Sequence, residues 1–372
     1  MSRSLGLKDI KTVKRASATG LYFSLMFAAL LAIFSIVLNN QVLHILGTDV
    51  ETYDATRNYM YWTVSMGSVP GIMSIMFGFL LRAEGKSFHA SIGQISGCII
   101  NIILDPFFIL PFGLDMGVAG AGFATFIGHC VACSYFLILL FKERKNTSVS
   151  LNPRNITINK AILLGIFMVG FPGVVQNNLN VISMTILNNI AASYGPNSVA
   201  AIGIANKVNQ LPIQIIFGFT QGVMPLIGYN YAAKNYARLS ESVKKTYIAT
   251  LSGLLLVLLL FNLAGTQIIR FFMDNNEIVS VGARFLSGFG LSLPFLCMDF
   301  MAVGVSQSFG YGKHALIFSI LRKLAFEIPL IYVLSASFGV YGLAYAQCLA
   351  EFMMAVISIF VMKSLMQKAK MS

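Results

Sequence analysis

The sequence predicts an all-α polytopic membrane protein of about ten transmembrane helices, arranged as two parallel bundles of four and six helices. Three observations carry that prediction. Of 372 residues, 56% are hydrophobic and only 11% are charged, whereas soluble domains carry about 25% charge. Lys and Arg gather on alternate loops between apolar stretches, and an early part of the chain resembles a later one. Disorder is excluded by the same apolar content.

A helical crossing takes roughly 20 mostly apolar residues. Ten windows qualify: 17–39, 58–81, 88–111, 118–141, 161–192, 199–228, 247–269, 285–309, 315–337 and 342–362. The first is too long for a signal peptide and lacks a small-residue cleavage pattern. Segments 1–16, 82–87, 142–160, 229–246, 310–314 and the tail hold 20 of the 26 Lys and Arg residues. The opposite loops hold only Arg57, Arg270 and Arg284, against six acids, and Lys207, Arg322 and Lys323 fall inside spans. This asymmetry places both termini in the cytoplasm. The net charge of +12 is then a topology signal, and no nucleic-acid partner is expected because no basic face is clustered. All five cysteines lie in spans, so no disulfide framework is implied. Cys130-x-x-Cys133 beside His129 lacks a second ligand pair and reads as packing.

The stretch 8–86 resembles 234–313 at an offset of 226 to 227. Lys8-Asp9 matches Lys234-Asn235, Arg57 matches Arg284, and Gly85-Lys86 matches Gly312-Lys313. Further on, Gly117-Val118-x-Gly120 matches Gly339-Val340-x-Gly342, and Asp105-Pro106 falls near Glu327-Ile328-Pro329. An even number of helices per unit makes the repeats parallel, an organisation typical of transporters. The expected division is 1–158, a four-helix bundle with its linker, and 159–372, a six-helix bundle. About 68 residues of the second unit, the length of two spans, lack a counterpart in the first.

Four acids lie within spans: Asp105, Asp299, Glu327 and Glu351. Each costs at least about 2.5 kcal/mol at mid-membrane, which makes each a functional-site candidate. Burial favours the protonated form of a carboxyl and a bound cation the ionised form, so such a group can exchange one for the other. In Asn101-Ile-Ile-Leu-Asp105-Pro106, the i,i+4 spacing puts amide and carboxylate on one helix face. Pro106 removes a backbone donor there and frees a carbonyl. Asp299 also follows a proline, Pro294. Glu327 has Lys323 and Arg322 four and five residues before it, the spacing of a buried ion pair, while Glu351 suits a helix-contact role as well as a functional one. The amide-rich stretch Gln176-Asn177-Asn178-x-Asn180, and Lys207 with Asn206 and Asn209, mark a polar cavity wall, because amides in lipid must face protein or water.

Three motifs resemble the MATE family (multidrug and toxic compound extrusion), and its MepA-like bacterial branch in particular. They are Asn101-Ile-Ile-Leu-Asp105-Pro106-x-Phe108-Ile109 with Gly117-Val118-Ala119-Gly120-Ala121-Gly122, then Ala200-Ala201-Ile202-Gly203-Ile204, and Gln221-Gly222-Val223-Met224-Pro225 with the residues to Ala233. The resemblance covers essentially the whole chain. It implies a twelve-helix MATE-type fold, of which this chain is expected to lack the first two helices and their acidic partner of Asp105. It also implies a cation- or proton-coupling set of Asn101, Asp105 and Thr125 in the first bundle, with Asp299 in the second. Gln176, Asn177, Asn180 and Lys207 are the expected cavity-lining residues.

The resulting expectation is a multidrug exporter. It would expel small cationic or amphipathic molecules in exchange for H⁺ or Na⁺ by alternating access, with Na⁺ or H⁺ held at Asp105. Beyond the coupling ion no cofactor is expected. The chain is expected to act as a monomer in the lipid bilayer of the bacterial cytoplasmic membrane. Two alternatives stand beside it: an inactive truncated product, and a lipid-linked oligosaccharide flippase, which the scarcity of intramembrane cations disfavours. An enzyme is not expected, because His44, His89, His129 and His314 are isolated and no nucleophile–base pair is evident.

Overall fold

The same short signals set helix ends in both halves of the chain. Lys8 and Lys234 each take a left-handed backbone conformation, at φ 58° and 57°. The residue after each caps the next helix: Asp9 accepts from the Thr12 N–H at 3.0 Å, and Asn235 from the Arg238 N–H at 3.3 Å. Caps of this kind contribute about 1 kcal/mol each. The backbone therefore repeats where the sequence repeats.

The computed structural model describes residues 1–45 and 47–371, and all regular structure among them is helical. The predicted spans correspond to ten helical runs. They are α1 (Ile10–Val37), α2 (Tyr53–Met66 joined to Ser68–Ala83), α3 (Ser87–Ile109), α4 (Gly117–Lys142) and α5 (Lys160–Ala192), followed by α6 (Pro196–Ala232), α7 (Tyr236–Phe272) and α8 (Asn276–Phe309). The last two are α9 (Gly312–Ile320, Leu321–Glu327 and Ile328–Phe338) and α10 (Val340–Met371). Eight of these are long and apolar enough to cross a membrane unaided, and α2 makes a ninth as a pair bent by 47°. The run α9 stands apart because the π turn Leu321–Glu327, which carries Arg322, Lys323 and Glu327, divides it into short segments. Large apolar side chains such as Phe27, Phe34, Leu256, Leu263 and Phe360 are exposed, which is what lipid-facing helices require.

One predicted register is corrected. The turn glycine equivalent to Gly85 (φ 88°) is Gly310 (φ 89°), not Gly312. Lys86 N–H donates to the Leu81 carbonyl and Tyr311 N–H to that of Ser306, five residues back in each case, so the offset here is 225. His89-Ala90 then matches His314-Ala315.

The chain divides into two compact units, Met1–Ile162 and Leu163–Ser372. In the first, Phe77 and Leu81 of α2 meet Phe136 and Leu140 of α4 over Ala90 of α3. The segment after α4 folds back over this unit. Tyr22 Oη donates to the Leu151 carbonyl at 2.8 Å, and the Ser150 and Thr157 N–H groups donate to Ser17 Oγ and Thr19 Oγ1. Glu84 accepts from Thr147 Oγ1 at 2.9 Å and from the Ser148 N–H. Lys86 pairs with Glu84 at 3.4 Å and with Glu143. The hydrogen bond from Lys86 holds the Glu143 carboxyl below the usual glutamate range. Partial burial works against the Lys86 charge, but the two carboxylates outweigh it and raise its proton affinity.

In the second unit α8 is central and packs against α6, α7 and α10. Phe285, Phe289, Leu293, Cys297, Met301 and Val305, each four residues from the next, are all buried. Lipid offers no apolar-transfer drive between helices, so their association rests on close packing. Accordingly a Cβ on Gly288 would lie 2.1 Å from the Ala344 carbonyl oxygen.

Candidate functional site

In the first unit the close crossing of α3 and α4 positions the polar residues. Gly97 and Gly128 meet at that crossing, where a Cβ on Gly128 would lie 3.2 Å from Asn101 Cβ. One helical turn from Gly97, the Asn101 amide nitrogen lies 3.4 Å from Asp105 Oδ1 and 3.4 Å from Thr125 Oγ1. Thr125 Oγ1 itself donates to the Ala121 carbonyl at 2.9 Å. The three residues predicted from sequence are thus one hydrogen-bonded set, with Asn101 spanning two helices. All three are half-buried. Pro106 sits inside α3 and leaves the Ile102 carbonyl without its helical donor. Carboxylate, amide, hydroxyl and carbonyl oxygens together are the donor types that hard cations select.

Trp62 has no counterpart among the predicted site residues. It sits in the π turn Tyr61–Met66 of α2, with its ring 4.5 Å from Phe123 and 5.9 Å from Phe126. Those two phenylalanines lie on α4, two residues before and one after Thr125, so the aromatic cluster ties α2 to the helix that carries Thr125. Its only trace in the sequence is that it is the single tryptophan.

In the second unit five charged residues are buried together. Asp299 comes from α8, Arg322, Lys323 and Glu327 from α9, and Glu351 from α10, none more than 9% exposed. Lys323 Nζ lies 2.6 and 2.8 Å from the two oxygens of Glu327, and Ser183 of α5 donates to the same carboxylate at 2.6 Å. Arg322 Nη1 lies 3.4 Å from Asp299 Oδ2 and 3.8 Å from Glu351 Oε1, and the guanidinium stands over the Phe300 ring. Ser358 donates to Asp299 Oδ1 at 3.2 Å.

The ion pair expected at Glu327 forms, with Lys323 as its partner. Arg322, in the same π turn Leu321–Glu327, faces α8 and α10 instead. Glu351, for which the sequence left a helix-contact and a functional role open, belongs to the cluster. π turns recur at functional sites, and here one delivers three of the five charges.

The expected cavity-lining residues all lie in the second unit. Gln176 and Asn180 are half-buried on α5, whereas Asn177 and the α6 residue Lys207 are exposed. Among the described residues none of these four side chains has a hydrogen-bond partner.

The family model described as MatE matches residues 1–107 and 172–333. Over 368 residues the chain is 31% identical to the multidrug export protein MepA of Staphylococcus haemolyticus strain JCSC1435, covering 98% of this chain and 79% of that one. The chain belongs to the MATE family. A second MepA, from Staphylococcus aureus strain MSSA476, is 30% identical over 366 residues, 97% of this chain and 78% of that protein. This MATE chain is thus MepA-like, a multi-pass membrane transporter. Solved structures agree on the fold. An outward-facing multidrug resistance MATE family transporter of the MOP superfamily superposes with a TM-score of 0.92 at 22% identity, over 100% of this chain and 82% of that one. The bent form of the Vibrio cholerae MATE transporter VcmN gives 0.88 at 21% identity, over 100% and 83%.

Proposed function

We propose that this MATE chain is a multidrug exporter that expels small cationic or amphipathic compounds in exchange for H⁺ or Na⁺. The observation that carries the coupling part is the Asn101 amide held between Asp105 and Thr125 across two helices. The likeness to MepA, a multidrug export protein, supports the substrate class. Coupling needs a group whose affinity for the driving ion differs between inward- and outward-open states. Asp105 is suited to that role because its partner Asn101 also bonds Thr125 of α4, so a shift of α3 against α4 changes how Asn101 is held against the carboxylate. In the second unit Asp299 contributes, held by Arg322 and Ser358. Alternating access would expose these sites in turn, with both termini in the cytoplasm.

The test is energised export of ethidium from cells or inside-out vesicles carrying the chain. Wild type should export, and Asp105→Asn should not, while reaching the membrane at equal level. Normal pumping by Asp105→Asn removes Asp105 from the mechanism. Absence of ethidium gradients in wild type removes the export reading.

A further inference from the structure

The buried charges of the second unit do not balance. Asp299, Glu327 and Glu351 supply three carboxyls against two cations, Arg322 and Lys323. Lys323 is committed to Glu327 through both carboxylate oxygens. Arg322 is left to face the other two acids, and it treats them unequally. Asp299 receives Arg322 at 3.4 Å and a second hydrogen bond from Ser358, so its anion is supported from two sides. Glu351 stands 3.8 Å from Arg322, outside hydrogen-bond reach, and its Oε2 is buried without any partner. A buried ionised carboxyl without donors is the costliest arrangement a fold can hold, and such a group takes up a proton instead.

The groups facing Glu351 are Asp299 from α8, Arg322, Lys323 and Glu327 from α9, and Cys348 of its own helix. Only Arg322 is close enough to matter for pairing. Its guanidinium lies within 4 Å of both Asp299 and Glu351, on the ground a metal cation would need in order to bridge them. A Na⁺ ion there would meet a fixed positive charge, whereas a proton bound to a carboxyl oxygen needs no such space.

We propose that Glu351 is the proton carrier of the second unit, and that Arg322 is the fixed counter-charge that makes this site take H⁺ and refuse Na⁺. When the Glu351 O–H breaks, its electron pair stays on the carboxylate and the proton passes to water. Arg322, within 4 Å of both carboxyls, then faces two anions. The proposal rests on the coupled-export reading, but its test does not need transport.

The experiment is infrared titration of the purified full chain in lipid nanodiscs, with H⁺ and NaCl as the only probes. Wild type should show a protonated-carboxyl stretch that disappears as pH rises and includes a component that does not respond to NaCl at constant pH. Glu351→Gln should lose that component. Glu351→Asp, the variant that keeps a carboxyl, should retain it with a shifted midpoint. Arg322→Gln should make the remaining acids respond to NaCl. The proposal is overturned if Glu351→Gln keeps every titrating carboxyl component, or if NaCl removes the component that Glu351→Gln lacks. Ethidium export under an imposed pH gradient is measured in parallel. The expected infrared pattern without export leaves this site standing and sinks the export reading. Export with an unchanged Glu351→Gln signal does the reverse.

Discussion

Gly97 and Gly128 meet across α3 and α4 with no room for a side chain: a Cβ on Gly97 would lie 2.6 Å from the Gly128 carbonyl oxygen, and the reverse distance is 2.7 Å. This contact sets how closely the two helices approach, and therefore whether Asn101 reaches Thr125. Gly97→Val should force them apart at a cost of about 1–3 kcal/mol, the usual range for overpacking. Thermal unfolding in detergent should show a lower midpoint, and export should fall with it. Gly165→Ala, in open space on α5, should change neither.

Asn101 makes two contacts where Thr125 makes one with it, and removal of each should differ accordingly. A hydrogen bond to a charged group contributes roughly 1.5–3 kcal/mol, which corresponds to about 10- to 100-fold in affinity. Asn101→Ala should therefore shift the driving-ion concentration at half-maximal export by about that factor. Thr125→Val keeps the Asn101–Asp105 contact and should cost less. Export rate measured against driving-ion concentration separates the two, and equal effects would mean that Asn101 does not bridge.

Much of this was legible before any coordinates. Hydropathy marks all ten helical runs, because lipid demands long apolar segments. The pair Lys8-Asp9 and Lys234-Asn235 reveals the repeat, because each is a left-handed residue followed by a cap. Asn101 and Asp105 read as neighbours because helix geometry alone places i and i+4 together, and Thr125 joined them only through the family resemblance. The ion pair at Glu327 was legible too, but spacing did not say which of Lys323 and Arg322 makes it. Arg322 turns to Asp299 and Glu351 from a π turn, and no residue pattern announces such a turn. Partners on other helices, such as Asp299, Glu351 and Ser358, are invisible to spacing. The Gly85 equivalent slipped by two residues because Gly310 and Gly312 are equally plausible in a linear comparison.

Lys323 and Glu327 form a buried pair whose members should be inseparable. Lys323→Met leaves the Glu327 carboxylate with only Ser183 as donor. Breaking one side of a buried ion pair typically costs about 3–5 kcal/mol. The double variant Lys323→Met with Glu327→Gln should recover most of that loss, because no uncompensated charge remains. Unfolding midpoints of the two single variants and the double variant measure the coupling, and additive losses would argue that the pair contributes independently.

Glu143 and Lys86 should tie the segment after α4 to the first unit only between two pH limits. The Glu143 carboxyl is depressed by the hydrogen bond from Lys86, so its contribution is present above the ordinary glutamate value of 4.5 and is lost as pH falls through the lower folded value. For Lys86, burial opposes its charge but the pairing with Glu143 and Glu84 wins and raises the pKa. Its contribution is full below the ordinary lysine value of 10.5 and is lost as pH rises through the higher folded value. Hydrogen exchange of the amides in 147–157 should therefore be slow and flat, after correction for intrinsic rates, across the neutral range and should quicken at either extreme. In Lys86→Gln the protection from this contact should be lost at neutral pH, leaving the hydrogen bonds of Thr147 and Ser148 to Glu84 and those of Tyr22, Ser17 and Thr19 to hold the segment. Unchanged exchange in that variant would show that those bonds alone secure it.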